Sequence, residues 1–486
     1  MKIKRSGSLR GKLTVPGDKS ISHRAVMFGA IAEGTTTVRG FLKSADCLST
    51  IGCFRRMGIS IEESAEAGSA VLSIHGKGLR GLKKPDGALD AGNSGTTTRL
   101  LAGILAGQPF EAAIVGDASL SRRPMGRVSE PLTAMGAKLR STEGHLPMTI
   151  QGGSLHGISH ESRVASAQVK SCIALAGLYA EGITRITEPS LSRNHTELML
   201  SAFGADISTE YGRGILERAS LLREEKHYLW SAVKDQPIAE IDPVTGRNLT
   251  DPLHGRTAPS AGPRPTCVVR PGKELHALDI TVPGDISSAA YFLAAAKLVA
   301  GSELFLTNVG MNPTRTGLLS VLEAMGGRYT PENLRLMGGE PVSDLRVSFA
   351  KLHGTYIGGP LIPTLIDELP VIAVMAAYAE GETIIRDAKE LRVKESDRLA
   401  RIVENLRALG VGVEEVPDGM AIQGNGGKPF KGAVIDPHGD HRLAMAFAVA
   451  GLASDEGITI RDEGCVAVSY PAFFADLAAV GAELSA

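Results

Sequence analysis

Several features that are common in other classes of protein are scarce in this sequence. Only 4 % of its 486 residues are aromatic, with a single Trp, and no segment approaches the ~18 uninterrupted apolar residues that a membrane span needs. The charged N-terminus has no apolar run behind it, so a signal peptide is not indicated. The five cysteines form no C-x-x-C pair and are expected to be small buried side chains in a reducing cytosol. We therefore predict a soluble cytoplasmic protein.

The charge balance excludes further classes. The 52 Lys and Arg residues nearly cancel the 53 Asp and Glu residues, which leaves a formal net charge of −1. This balance argues against a nucleic-acid coat protein and against a polybasic membrane-surface protein. The apolar content of 43 % excludes general disorder, and the 57 glycines predict many short strands and helices joined by tight turns.

A repeated pattern organises the chain. A helix end, a glycine and then a strand occur six times, and such a glycine is the usual left-handed helix cap. The six glycines are Gly58, Gly136, Gly204, Gly326, Gly410 and Gly481. Their successive spacings are 78, 68, 122, 84 and 71 residues, which indicates one repeated unit with a single insert. The insert is expected within residues 210–265 as a helix followed by a surface loop.

A second repeated segment marks the boundary between two halves of the chain. Val15-Pro16-Gly17-Asp18 reappears as Val282-Pro283-Gly284-Asp285, and in each copy a strand, a turn and an acidic cap precede a helix. The chain is therefore predicted to be an α/β protein of two domains with three units each. Residues 20–283 form the first domain, 1–19 and 284–486 the second, with hinges near 17–20 and 282–286. Ligands are expected in the cleft between them.

Familiar catalytic motifs do not account for the function. The sequence has no G-x-x-x-x-G-K-[ST], H-E-x-x-H or G-x-S-x-G segment. His438, Asp440 and His441 lie close together, but one His pair is weak evidence for a metal. No metal site is predicted.

Cationic and hydroxyl side chains gather instead at helix starts. Residues 18–24, 92–99, 121–124, 165–171 and 192–195 place Lys, Arg, Ser, Thr or Asn where free N–H groups favour an anion. The second half adds acids at 365–370 and both signs at 392–398 and 440–442. Each segment alone also fits a solvated cap or a charged helix face. Many such segments in both halves indicate sites for small polyanions.

Six segments, in the same order along the chain, give it a close resemblance to the 5-enolpyruvylshikimate-3-phosphate (EPSP) synthase family of enolpyruvyl transferases. The matching segments are 16–24, 92–96, 116–125, 312–317, 391–398 and 440–442. The resemblance implies an inside-out α/β barrel in two domains, each of three βαβαββ-like units. It also implies transfer of the enolpyruvyl group of phosphoenolpyruvate to the 5-hydroxyl of shikimate 3-phosphate, in aromatic amino-acid and chorismate biosynthesis.

The resemblance also assigns residues by motif. Asp367 is the expected base on the 5-hydroxyl, Glu395 the acid at the methylene carbon, and Lys19 the third catalytic residue. The residues expected to bind shikimate 3-phosphate are Lys19, Ser20, Arg24, Ser166, Ala167, Gln168, Arg193, Asp367 and Lys394. Those expected to bind phosphoenolpyruvate are Lys19, Asn93, Gly95, Arg123, Gln168, Arg398, His441 and Arg442. Many family members carry a late Lys where this chain has Val468.

The implied chemistry, addition and then elimination through a tetrahedral intermediate, needs no metal and no organic cofactor. The expected partners are the two polyanionic substrates alone, bound by a monomer, without nucleic acid or membrane. Two alternatives remain. One is the related transferase that acts on UDP-N-acetylglucosamine, although that family starts with Lys-Asn where this chain has Lys19-Ser20. The other is a non-catalytic polyanion-binding relative, which would not require Asp367 and Glu395.

Overall fold

The structure is a computed structural model that describes residues 1–66, 69–211, 215–217 and 264–485. Its α-helices are numbered here in chain order. They are α1 (Lys19–Ile31), α2 (Ala45–Arg56), α3 (Gly95–Ala106), α4 (Ala118–Ser121), α5 (Gly126–Ala134), α6 (Ala167–Gly177), α7 (His195–Ala202), α8 (Ile286–Leu298), α9 (Gly317–Ala324), α10 (Ile362–Leu365), α11 (Leu369–Tyr378), α12 (Arg398–Ala408), α13 (His441–Gly451) and α14 (Phe473–Ala479). Short 3₁₀ helices cover Gly359–Leu361, Lys389–Val393 and Glu463–Val468.

The strands are short, as the many glycines predict. They are β1 (Lys2–Ile3), β2 (Arg10–Thr14), β3 (Glu33–Arg39), β4 (Ser60–Glu66), β5 (Ser69–Lys77), β6 (Leu89–Asp90), β7 (Glu111–Val115), β8 (Lys138–Thr142), β9 (His145–Gln151), β10 (Leu155–His156), β11 (Ser159–Glu161), β12 (Ala180–Glu181), β13 (Thr184–Thr187), β14 (Asp206–Tyr211), β15 (Ile215–Glu217), β16 (Pro265–Arg270), β17 (Ile280–Thr281), β18 (Glu303–Gly310), β19 (Tyr329–Met337), β20 (Glu340–Ser348), β21 (Tyr356–Ile357), β22 (Glu382–Ile385), β23 (Gly412–Val416), β24 (Gly419–Gln423), β25 (Ala433–Ile435), β26 (Ile458–Ile460) and β27 (Leu484–Ser485).

Six sheets of four or five strands contain nearly all of these strands. Their orders are β17-β3-β5-β4, β6-β7-β9-β8, β11-β13-β16-β14-β15, β2-β18-β20-β19, β21-β22-β24-β23 and β25-β26-β1-β27. In each sheet the second strand pairs parallel with the first and antiparallel with the third. Two parallel neighbouring strands need a crossover connection. In four sheets this connection contains a helix, whereas β3 with β17 and β2 with β18 are pairs of strands from distant parts of the chain. The six predicted units are therefore present as six sheets.

Each sheet goes with one nearly completely buried helix. These central helices are α1, α3 and α6 in the first half of the chain and α8, α11 and α13 in the second. A helix that is apolar all round belongs in an interior. Strand β9 shows the matching alternation in the sheets, because its residues Leu146, Met148 and Ile150 are buried and the residues between them are not. Helices inside and sheets outside confirm the predicted α/β fold class.

The buried apolar side chains form two separate cores. The first core lies between residues 21 and 282, and the second between residues 286 and 482 together with Ile3, Leu9, Leu13 and Val15. The N-terminal strands belong to the second core, because β1 pairs with β26 and β27 and β2 pairs with β18. The chain passes from one core to the other at residues 15–21 and again at 282–286.

The local signals that predicted the repeat have the expected geometry. The six glycines after helices all have φ between 80° and 107°, a region that only glycine enters without strain. Asp18 and Asp285 cap α1 and α8 by accepting hydrogen bonds from the N–H groups of Ile21 and Ser287, at 2.9 and 2.8 Å. Glycine φ values and aspartate caps thus end and begin the helices as the sequence predicts.

No single helix in the described ranges is both long and apolar enough to cross a membrane. Two consecutive helical segments, Gly359–Leu365 and Leu369–Tyr378, are together long and apolar enough, but the chain bends by 111° between them. The second segment is α11, a central helix of the second core.

The insert begins and ends in two neighbouring strands of the first half of the chain, β14 and β16. Most of its predicted helix and loop lies outside the described residues, and the described residues 215–217 form the edge strand β15, not a helix. Strands β14 and β16 are antiparallel neighbours, and Tyr211 pairs directly with Pro265. A two-residue turn joins strands in this arrangement.

We therefore expect a variant in which Asn-Gly replaces residues 212–264 to fold and to keep its specific activity within about threefold. Thermal unfolding and initial rates check this expectation. If the variant fails to fold while the intact chain folds under the same conditions, the insert packs into the first core.

Candidate active site

The starts of five of the six central helices hold most of the predicted site residues. Lys19 begins α1, Gly95 α3, Ala167 α6 and His441 α13, while Asp367 lies two residues before α11. Each helix start presents free N–H groups and a positive dipole end. Such ends favour anions, so the fold itself supplies a positive background to this region.

Asp367 lies at the centre of a cluster of cations. Its carboxylate accepts hydrogen bonds from Lys394 Nζ at 3.2 Å, Arg398 Nη1 at 3.4 Å and Arg193 Nη2. Arg442 donates to its backbone carbonyl at 3.3 Å. Arg193 comes from the first half of the chain and the others from the second, so this Asp367 cluster joins the two halves.

Glu395 is held by two arginines, Arg398 and Arg123. Its carboxylate lies 2.5 Å from Arg398 Nη2 and 3.7 Å from Arg123 Nη1. Arg398 is only 1 % exposed and also binds Asp440 through Nε at 2.8 Å and Nη2 at 3.2 Å. Such a forked contact fixes the plane of a guanidinium. The alternative interpretation of 392–398 as a solvated helix face is therefore wrong for Arg398.

The surrounding cations keep both carboxylates ionised. Burial alone would raise the pKa of Asp367, but Lys394, Arg193, Arg442 and Arg398 together hold it well below its usual value. In the same way burial would raise the pKa of Glu395, while Arg398, Arg123 and Lys394 hold it well below its usual value. Without substrate, therefore, neither group carries a proton at pH 7.

Asn93 and Arg123 form a polar corner of the first half. Arg123 donates to Asn93 Oδ1 at 2.7 Å, and Asn93 donates to Asp117 Oδ2 at 2.6 Å. The Nε atom of Arg123 is buried without a hydrogen-bond partner. A Cβ on Gly95 would lie 3.2 Å from Arg123 Nη1 and 2.8 Å from Arg99 Nη1. Gly95 thus leaves room for the guanidinium groups beside it.

Gln168 faces the same corner from α6. Its Oε1 accepts a hydrogen bond from Arg99 at 2.6 Å, and its Nε2 donates to Thr96 Oγ1 at 3.1 Å. Burial, together with the neighbouring Arg123, lowers the pKa of Arg99 to about 10. Gln168 and Gly95 are therefore brought together through Arg99.

Lys19 and Arg24 occupy different surroundings although they share α1. Lys19 Nζ lies 2.5 Å from Asp46 Oδ2 and is partly exposed. Arg24 is buried and donates to Thr196 Oγ1 at 2.7 Å, Ser171 Oγ at 2.9 Å and the carbonyl of Ser20 at 2.9 Å. Burial lowers the pKa of Arg24 to about 10.

The remaining predicted residues lie at helix starts. Ser166 caps α6, with its Oγ accepting from the N–H of Val169 at 3.5 Å, and Ala167 is the first residue of that helix. His441 is buried, and burial next to Lys19 and Arg442 holds its pKa well below the usual value. Its imidazole is therefore neutral at pH 7 and offers hydrogen bonds, not positive charge.

Sequence reasoning missed several partners that complete the site. Arg99 binds Gln168, Asp440 binds Arg398, Asp117 binds Asn93 and Asp46 binds Lys19. Arg99, Asp117 and Asp440 lie within sequence segments that predict the site, so their residue types alone could have identified them. Nothing in the sequence around Asp46 points to Lys19.

Known proteins resemble this chain over nearly its whole length. The model of the family described as EPSP synthase (3-phosphoshikimate 1-carboxyvinyltransferase) matches residues 3–217 and 260–477. The chain is 48 % identical to a 3-phosphoshikimate 1-carboxyvinyltransferase of Desulforamulus reducens, over 96 % of this chain and 95 % of the relative. It is 47 % identical to the protein of that name from Brevibacillus brevis, over 97 % and 98 %.

Solved structures are also similar. An EPSP synthase from Acinetobacter baumannii superposes with a TM-score of 0.78 at 41 % identity, covering 100 % of this chain and 99 % of that one. The enolpyruvyl transferase NikO from Streptomyces tendae, at 17 % identity, gives a TM-score of 0.69 over 99 % and 97 %, and shows a common fold only. The predicted resemblance is confirmed: the chain belongs to the EPSP synthase family.

Proposed function

We propose that this chain transfers the enolpyruvyl group of phosphoenolpyruvate to the 5-hydroxyl of shikimate 3-phosphate at the Asp367 cluster. The family membership supports the reaction, and it favours this substrate over UDP-N-acetylglucosamine. One observation carries the assignment to the site. Two carboxylates, Asp367 and Glu395, are each held by cations contributed from both halves of the chain. Both substrates are polyanions, which these cations suit.

The proposed chemistry gives the two carboxylates opposite tasks. In the addition step, the 5-oxygen attacks C2 of phosphoenolpyruvate as its proton passes to Asp367, while Glu395 delivers a proton to the methylene carbon. In the elimination step, Glu395 takes a proton back from the new methyl group, and the bond from C2 to the phosphate oxygen breaks. Phosphate leaves with the electron pair, the double bond is restored, and the proton on Asp367 passes to the released phosphate, which returns Asp367 to its carboxylate form. Arg123, Arg398 and Lys394 would stabilise the negative charge throughout.

Substrate binding itself would prepare the proton transfers. In the free protein the cations hold the pKa values of both carboxylates well below their usual values. Phosphate and carboxylate groups of the substrates would neutralise those cations, and the pKa of each carboxylate would then rise. Glu395 could then hold the proton that it delivers, and Asp367 would become a stronger base.

The remaining assignments follow position in the site. We propose that Lys19, Ser20, Arg24, Ser166, Ala167, Gln168 and Arg193 bind shikimate 3-phosphate with Asp367 and Lys394. We propose that Asn93, Gly95, Arg123, Arg398, His441 and Arg442 bind phosphoenolpyruvate with Lys19 and Gln168. The hydrogen bonds from Arg99 to Gln168 and from Arg123 to Asn93 support the second group.

The two cores support a division into two domains. We propose that residues 20–283 form one domain and residues 1–19 with 284–486 the other, with hinges at 17–20 and 282–286. Arg315 supports this hinge position, because it is buried and binds both helix-capping residues, Asp18 at 3.2 Å and Asp285 at 3.1 Å. We also propose that the protein works as a monomer, since one chain supplies every proposed residue of the site, and that it works in the cytoplasm.

Phosphate release tests the function. The intact protein should release phosphate from phosphoenolpyruvate in the presence of shikimate 3-phosphate, and not in the presence of UDP-N-acetylglucosamine. Release with the second acceptor alone would assign the protein to the related transferase. Binding of phosphoenolpyruvate without release from either acceptor would indicate a non-catalytic relative.

The proposed phosphoenolpyruvate site can be probed at Gly95. In Gly95→Ala the new methyl group would press on Arg99 Nη1 and Arg123 Nη1, at 2.8 and 3.2 Å. We expect KM for phosphoenolpyruvate to rise about tenfold, because overpacking displaces the guanidinium groups, while KM for shikimate 3-phosphate changes much less.

Gly126→Ala is the matched control for this variant. Gly126 is also the first residue of a helix, and a Cβ there meets only Glu130 Oε1 at 3.6 Å, an ordinary contact. Steady-state kinetics of both variants decide the point. Equal KM values for phosphoenolpyruvate in the two variants would remove Gly95 from the site.

A further inference from the structure

A buried lysine of α6 joins two carboxylates that have no part in the reaction described above. Lys170 is 1 % exposed, and its Nζ lies 3.0 Å from Glu188 Oε2 and 2.8 Å from Glu197 Oε1. It also donates to the carbonyl of Ser192 at 3.2 Å. Burial would lower the pKa of Lys170, but Glu197 and Glu188 raise it, so the ammonium stays charged. This Lys170 group is a fully desolvated ion network.

Glu188 uses its two oxygens to hold two separate loops. Its Oε1 accepts a hydrogen bond from the N–H of Ser166 at 3.1 Å, and its Oε2 accepts one from the N–H of Ser192 at 3.3 Å. Ser166 caps the helix that presents Ala167 and Gln168, and Ser192 directly precedes Arg193. One side chain therefore sets the distance between the start of α6 and the loop that carries Arg193.

The other carboxylate extends the network to α1. Glu197 lies on α7 next to Thr196, whose Oγ1 accepts from Arg24 Nε at 2.7 Å. The Oγ atoms of Ser171 and Thr196 are 2.6 Å apart, and Ser171 also accepts from Arg24. Glu197 is 3 % exposed and opposes the effect of burial on the pKa of Arg24.

A buried ion network of this kind is a poor source of stability. Removing charges from water costs about as much as their attraction returns, whereas the fixed geometry of the pairs can specify one arrangement of the backbone. The arrangement specified here is that of segments 166–168, 192–193 and Arg24. All of them belong to the proposed shikimate 3-phosphate site, and only Gln168 is also assigned to phosphoenolpyruvate.

We propose that Lys170 and Glu188 are positioning residues for shikimate 3-phosphate, which fix the Ser166 and Arg193 loops at the spacing this substrate needs. The inference rests on the proposed function of the site. It assigns no contact with substrate to either residue. Its consequence is selective: loss of the pair should weaken binding of shikimate 3-phosphate and leave the phosphoenolpyruvate corner at Asn93 and Arg123 intact.

The test uses Glu188→Gln in the full chain. The amide keeps the volume of the side chain but loses its charge and one of the two acceptor oxygens. We expect the Kd of shikimate 3-phosphate, measured by titration calorimetry, to rise about tenfold or more, because a hydrogen bond to a charged group is lost at one loop. KM for phosphoenolpyruvate at saturating shikimate 3-phosphate should change less than about threefold.

A control and a second variant separate positioning from simple destabilisation. Lys297 is likewise 1 % exposed and donates to the carbonyl of Ser348 at 2.6 Å, but it lies in the second half. Lys297→Met should lower Tm without changing the Kd of shikimate 3-phosphate. If Glu188→Gln does not fold, Glu188→Asp retains the charge beside Lys170 but is too short to reach both loops, and should show the same selective loss.

The outcomes are distinct. Wild-type protein that releases no phosphate with shikimate 3-phosphate would overturn the proposed function itself. An active wild type with an unchanged Kd in the Glu188 variant would overturn only this inference. So would a parallel rise in the Kd of shikimate 3-phosphate and the KM of phosphoenolpyruvate, because that would be general loosening.

Discussion

Replacing Glu395 by Gln should reduce kcat by about 10²- to 10⁴-fold, the usual contribution of a positioned acid or base. The amide cannot deliver a proton to the methylene carbon and cannot take one back. Shikimate 3-phosphate should still bind nearly normally, because Asp367 and its cations remain in place. Steady-state kinetics, combined with calorimetric titration of shikimate 3-phosphate, measure both effects.

Glu390→Gln is the matched control. Glu390 lies in the preceding 3₁₀ helix and forms a forked ion pair with Arg127 at 2.7 and 3.0 Å, so the same chemical change removes a similar contact outside the site. Its kcat should stay close to that of the wild type. Full activity of Glu395→Gln would remove Glu395 from proton transfer.

Asp367→Asn should reduce kcat by a similar factor, about 10²- to 10⁴-fold, but with a different effect on binding. The variant loses the base for the 5-hydroxyl and also the negative charge at the centre of the cluster. Arg193, Lys394, Arg398 and Arg442 then keep their charges without that counter-ion. We expect the KM of shikimate 3-phosphate to stay the same or to fall, because the local positive potential increases.

Asp344→Asn gives the comparison for this second variant. Asp344 is also buried and pairs with Arg335 at 3.1 Å, at the outer sheet of the second core. That variant should lose stability in thermal unfolding while keeping its kcat. A rise in the KM of shikimate 3-phosphate in Asp367→Asn, with kcat retained, would mean that Asp367 binds the substrate without acting as its base.

The repeat and the helix ends could be predicted because their causes are local. A glycine past a helix end needs positive φ, and all six such glycines have it. Asp18 and Asp285 cap helices for equally local reasons. Each signal lies within a few residues of the element that it predicts.

The pairing of side chains could not be predicted in the same way. Arg315 binds Asp18 across 297 positions of sequence, and Arg99 binds Gln168 across 69. These pairs depend on how the sheets and central helices pack. The sequence also could not show that Arg398 is buried, because its charged neighbours fit a solvated helix equally well.

The position of β1 and β2 has a consequence for synthesis on the ribosome. Residues 1–15 emerge long before their partners, because β2 pairs with residues 303–307, and β1 with residues 458–459 and 484–485. The whole first core is translated in between, so it can fold while Leu9 and Leu13 are still uncovered. Strand β2 must therefore remain unpaired until residues 303–307 have emerged, and β1 until residues 458–459 have emerged. Nascent chains that stop before residue 458 would leave β1 unpaired, and an unpaired strand can pair with another chain and aggregate.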